Sequence, residues 1–184
     1  DKVNEGEYTL DSTFTYSGYM HEDAGVISSD YGIGSQVPLS DLLNDLIIYS
    51  DNDAGHILYE NLGGWKEYKE AMTKYTDSIS ENYYTMDNVT TANTMNDVVT
   101  YLYDHKEDYK GLIKNMEKAE PGEYLDRDTQ LSMPQKYGMY DYALNSVGFV
   151  ECNTSYSIVV LTSLGDKGAD VMANINRIAY EHFK

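Results

Sequence analysis

Three features predict an α+β fold. Residues 38–118 carry a block of helical periodicities, the pattern changes to strand-like runs after residue 134, and a single amphipathic helix closes the chain. No internal repeat or low-complexity linker interrupts that order, so the 184 residues read as one domain. Within it, 38–118 forms a helical part and 134–184 a sheet hairpin with a C-terminal helix.

Residues 1–10 read as the tail of a helix, a stop at Gly6 and an extended piece. A domain that opens on a helix tail points to sequence upstream. Residues 11–37 are polar and rich in Ser, Gly and Tyr. Apart from a short strand at Thr13-Phe14-Thr15-Tyr16, they predict an irregular surface excursion, long enough to suggest a functional rim. The clearest helix covers 38–49, with Pro38 at its start and Leu39, Leu42, Leu43, Leu46 and Ile47 along one stripe. Ser50-Asp51-Asn52 breaks that run, because such side chains bond the free N–H groups of a following helix. A second helix is expected from about 53 to 62, stopping at Gly63-Gly64, and a third over 65–75.

After a polar, irregular stretch at 76–90, Thr91 can cap a helix over 92–103 with Met95, Val98, Val99 and Leu102 on one face. Tyr109, Leu112, Ile113 and Met116 are in phase for another helix at 107–118, ended by Glu120-Pro121-Gly122. Strands are expected at 135–139, 143–151 and 156–163, the last two joined as a hairpin. Ile158-Val159-Val160-Leu161 suits a sheet covered on both faces. The final helix, about 168–183, places Val171, Met172, Ile175, Ile178 and Ala179 on one side.

Composition narrows the function classes. Hydrophobic residues make up 41% and charged residues 24%, the balance of a folded, water-soluble chain. No apolar run approaches the roughly 18 residues of a membrane span. The net charge of −18, from 31 acidic and 13 basic residues, argues against nucleic acid and anionic membrane as partners. Cys152 is the one cysteine, so no internal disulfide forms. His21, His56, His105 and His182 are scattered, so no metal site is expected. Asp51-Asn52-Asp53 fails the calcium-loop pattern, and no Gly-rich phosphate loop appears, so no cofactor is expected.

Two short motifs carry chemistry. Ser50-Asp51-Asn52 lies at a helix-to-helix corner, and about 85 residues later Lys136-Tyr137-Gly138 opens a strand followed by a hairpin and a helix. This order resembles the class A β-lactamase and penicillin-binding protein superfamily of serine hydrolases. The resemblance is densest over 38–64, and returns at 88–103, where Asn88-Val89-Thr90-Thr91 precedes a helix, and at 134–183. It is weak over 11–37 and 65–87.

The resemblance implies acyl transfer on β-lactam or cell-wall peptide amides, outside the bacterial cell. In that chemistry Ser50 passes the proton, while Asn52 holds the substrate amide and the nucleophile's lysine. Lys136 attracts an anionic substrate, Gly138 lets a ligand lie along the strand, and the Met139 N–H is one oxyanion donor. Asp51 bonds backbone around the corner. Tyr137 departs from the family's Thr or Ser, which puts substrate preference in doubt. On residue type alone, Ser50 and Asn52 also read as ordinary capping residues, and Lys136 as an exposed strand lysine.

Two parts of the family pattern are missing. No Ser-x-x-Lys occurs in the 184 residues, and 76–90 lacks the Glu-x-x-Leu-Asn signature that supplies the deacylation base; Glu81 is the one glutamate there. The expectation is therefore a chain starting just downstream of the nucleophile helix, lacking N-terminal strands and inactive alone. An unpaired sheet edge and an uncovered apolar face should follow, open to the absent segment or another chain. The sequence begins at Asp1 without Met and reads as a mature or trimmed product, which leaves room for an export signal. Two other readings stay open: a non-catalytic homologue that binds cell-wall peptide or a protein partner, and an unrelated acidic interaction domain.

Overall fold

The computed structural model of the chain describes residues 1–21 and 23–184. Two compact units divide at the end of a helix: Asp1–Ala71 and Met72–Lys184.

In the first unit, strand β1 (Thr13–Thr15) pairs antiparallel with β2 (Gln36–Pro38), setting Phe14 opposite Val37. Thr15 Oγ1 accepts from the Gln36 amide at 2.8 Å and brackets the outer face. Between them lies the five-residue helix α1 (Val26–Asp30). Besides the expected strand, this stretch thus contains a helix and runs into a second strand; residue 22 within it lies outside the described residues. A three-residue strand such as β2 has no period to read and exists because β1 is beside it.

The predicted helices follow as α2 (Leu39–Tyr49), α3 (Asn52–Asn61) and α4 (Trp65–Met72), the last running into a 3-10 turn at Thr73–Tyr75. Pro38 has φ −62° and caps α2, as a fixed proline φ favours. The core gathers Phe14, Tyr16, Ile27, Val37, Leu39, Leu42, Ala54 and Ile57.

In the second unit, Thr91 caps α5 (Ala92–Asp104) by accepting the Thr94 N–H at 3.1 Å. Helix α6 (Lys110–Met116) is shorter than its periodicity suggests. Its first expected turn is taken by tight i to i+3 bonds, Asp108 N–H to His105 at 2.9 Å and Tyr109 N–H to Lys106 at 3.2 Å. A meander follows, β3 (Gln135–Tyr140), β4 (Ala143–Val150) and β5 (Tyr156–Thr162), antiparallel in the order β3-β4-β5. Helix α7 (Lys167–Phe183) covers β4 and β5. Two glycines permit this packing. A Cβ at Gly148 would meet the Pro134 carbonyl at 2.4 Å, and one at Gly168 would meet Thr162 Oγ1 at 2.5 Å.

The buried face of α7 differs from the predicted stripe. Met172, Ala173 and Asn176 are buried, whereas Val171, Ile175 and Ile178 are exposed. Asn176 is fully buried because its amide donates to the Leu125 carbonyl at 2.8 Å and its oxygen accepts from Tyr156 OH at 2.8 Å. Among the described residues, β5 has no strand partner beyond β4.

Candidate functional site

The predicted site residues fall in both units, Ser50 and Asn52 at the α2–α3 corner and four on β3. At the corner, Ser50 terminates α2 in the left-handed region, φ 56° and ψ 34°. A serine reaches αL at a cost that the surroundings must meet. Here its neighbour meets it. Asp51 is 2% exposed; one carboxylate oxygen accepts the Ala54 N–H at 2.8 Å and the other the Ile27 N–H at 3.1 Å. A single side chain therefore serves the first turns of α3 and α1. The consequence is a chain reversal with Ser50 half-buried and Asn52 exposed at the first residue of α3.

Sequence reasoning left Asp53 without a role. Its carboxylate is buried, accepting Tyr16 OH at 3.2 Å and the His21 N–H at 2.9 Å, while Tyr16 OH and His21 Nδ1 lie 3.0 Å apart. Burial first, and the Asp53 charge second, push the Tyr16 phenol above its ordinary value. The signal available beforehand was a second acid two residues after Asp51, in the first turn of a helix. Asp45 also sits beneath the corner, its carbonyl accepting the Asp51 N–H at 3.2 Å. Its carboxyl is pushed up to about 6, by burial first and then by the Asp51 charge.

On the sheet, β3 is an edge strand with Lys136 opposite Val147, Tyr137 opposite Ser146, Gly138 opposite Asn145 and Met139 opposite Leu144. Lys136 is half-buried, and its Nζ lies 4.3 Å from the Tyr137 ring centroid. Burial pulls the amine down to about 8, and the Glu120 charge acts against that. A Cβ built on Gly138 would meet nothing within 4 Å, and Met139 is 64% exposed. The strand therefore has an open face at Gly138 on the edge of its sheet, and peptide-like ligands use such edge strands.

Gln135, the residue before Lys136, is 1% exposed and holds a neighbouring segment in place. Its oxygen accepts the Leu125 N–H at 3.0 Å, and its nitrogen donates to Asp126 Oδ1 at 2.9 Å and the Glu120 carbonyl at 3.3 Å. That segment carries Tyr124, whose ring stacks on Tyr137 with centroids 4.7 Å apart and planes at 23°. Nothing in the sequence marks this pair. Among the described residues, no group of three or more His, Cys, Asp or Glu could hold a metal ion, and no helix is long and apolar enough to cross a membrane.

Residues 1–183 match the model of a family described as the β-lactamase enzyme family. No curated protein matches the sequence. Among solved structures, the chain is similar to PBP-A, with a TM-score of 0.82 at 16% identity, covering 99% of this chain and 75% of that one. A PBP-A variant with similar scores is an acyl-enzyme complex with penicillin G. TLA-3 extended-spectrum β-lactamase gives 0.79 at 17% identity over 99% of this chain and 78% of that one. A β-lactamase from Chitinophaga pinensis gives 0.78 at 20%, covering 100% and 80%. At such identities the likeness speaks for the fold, which is the α+β fold of these proteins.

Proposed function

Because the chain belongs to the β-lactamase enzyme family, we propose that it carries working groups of a serine acyl-transfer site acting on the amide of a β-lactam or a cell-wall peptide. Acyl transfer needs a proton carrier at the leaving nitrogen, an oxyanion hole and a cation for the substrate carboxylate. Ser50 is the proton carrier, and Asn52 holds the substrate amide. Lys136 draws the carboxylate, Gly138 leaves room along the strand, and the Met139 N–H is an oxyanion donor. Tyr137 puts a phenol ring where the family has a small hydroxyl, so it reshapes the carboxylate pocket. On the same reading, the protein acts outside the cytoplasm.

The observation that carries this reading is the family match along residues 1–183. The built corner at Ser50 and the open edge at Gly138 support it. Without a Ser-x-x-Lys, these 184 residues perform no acyl transfer by that route. Incubation with a fluorescent penicillin, read by denaturing gel and intact mass, should leave the chain unlabelled. A covalent adduct at any serine would overturn the claim of inactivity.

A second reading, a non-catalytic homologue that binds cell-wall peptide, draws support from Tyr137 and from the missing Glu-x-x-Leu-Asn signature. Saturable binding of a stem peptide without turnover, weakened by Lys136→Met, favours it. Indifference to that substitution counts against Lys136 in both readings.

A further inference from the structure

The β3 strand departs from its family at Tyr137, and the structure shows a ring built around that departure. Lys136 Nζ lies 4.3 Å from the Tyr137 centroid, within range for a cation over an aromatic face. The ring's other partner is Tyr124, stacked at 4.7 Å and 23°. Tyr124 is half-buried and is not held by its ring alone. The adjacent Leu125 is fully buried, its N–H donating to Gln135 and its carbonyl accepting from Asn176. Asp126 is 5% exposed and takes bonds from Gln135 and from the Gly122 N–H at 2.9 Å. The segment is thus fixed by buried amides to the residue just before Lys136. A tyrosine ring free to rotate about its first torsion could leave the lysine exposed; one sandwiched against a fixed second ring cannot.

We propose that Tyr124 is a positioning residue for Lys136, acting through the ring of Tyr137, which it clamps in the orientation that the lysine amine lies over. This rests on the reading of Lys136 as the cation of the site. The clamp has a chemical consequence. The Tyr137 face attracts the ammonium, while burial, to which a ring held beside the amine adds, takes the lysine from 10.5 to about 8. The Glu120 charge pulls the amine back up. Releasing the ring therefore raises the titration midpoint, although it also removes a favourable contact.

The test is NMR of the 184-residue chain with isotope-labelled lysine, the Lys136 signal being assigned by its loss in Lys136→Met. In the parent and in Tyr124→Phe, which keeps the stack, the ε-methylene protons should be shifted upfield by the ring and should titrate near 8. In Tyr124→Leu they should return toward the ordinary lysine position, with the midpoint raised by about half a unit or more. In a Tyr137→Thr background, adding Tyr124→Leu should change neither quantity, because the ring through which Tyr124 acts is gone. Tyr124→Met, which keeps more apolar surface, replaces the leucine variant if that one unfolds by circular dichroism. The proposal is overturned if Tyr124→Leu leaves the shift and the midpoint in place, or moves them equally with and without the Tyr137 ring. No β-lactam enters the measurement, so its outcome is separable from that of penicillin labelling.

Discussion

At the α2–α3 corner, a buried carboxylate takes two backbone N–H groups from the starts of two helices. On β3, a half-buried amine lies over a phenol ring, and the fold disfavours its charged form. Asp51 holds a backbone reversal together, and its loss strands donors that have no access to water. Lys136 sits half-buried beside the Tyr137 ring. Its burial costs stability, which a purely structural lysine would not need to incur. The difference separates a polar group that shapes the scaffold from one whose charged form the fold disfavours.

Substitutions at three positions test that separation. Asp51→Ala should have the largest effect, a loss of about 3 kcal/mol in urea unfolding, because the Ala54 and Ile27 N–H groups are left without their acceptor in fully buried residues. A loss below about 1 kcal/mol would mean that the corner is held by something else. Asp45→Asn should do the reverse at neutral pH, with a gain of about 1–2 kcal/mol. The folded chain raises Asp45 from 3.8 to about 6, so across that window it binds more protons than the unfolded chain. Wild-type stability from this group is therefore full below the lower value and lost as pH rises through the upper one. The advantage of the Asn variant should shrink on acidification and vanish near pH 4; a pH-independent gain would sink this account.

Lys136→Met should change stability least, within about 1 kcal/mol at pH 7, and in the stabilising direction. Between about 8 and 10.5 the unfolded chain holds the lysine proton that the folded chain has released, so wild-type stability rises with pH there and the gap to the Met variant closes. Should Lys136→Met instead cost as much as Asp51→Ala, the two regions would not differ in kind.

The corner was legible in the sequence because its rules are local. An apolar stripe ending in Ser-Asp-Asn specifies a helix, a break and a cap within a few residues, and Asp51 caps α3 as those rules predict. Thr91 on α5 follows the same logic. The second donor to Asp51, Ile27, lies 24 positions away and could not be read. The hairpin of β4 and β5 was legible from its alternating runs, but β2 was not, since three residues acquire strand geometry from their partner. The face of α7 was misread for a related reason. Hydropathy assigns Asn176 to solvent, whereas two hydrogen bonds from distant elements allow it to be buried and turn Ile175 and Ile178 outward.

By itself, the sequence determined the α+β order, the helix breaks and caps, and the residue types that mark the family, all of which follow from periodicity and from hydrogen bonds closed within one or two turns. Tertiary structure alone decided which second N–H reaches Asp51, which ring stacks on Tyr137, and which side of the last helix is covered. Those depend on groups brought together from 10 to 51 positions apart, and no local pattern encodes the energy of a contact whose partner lies in another element.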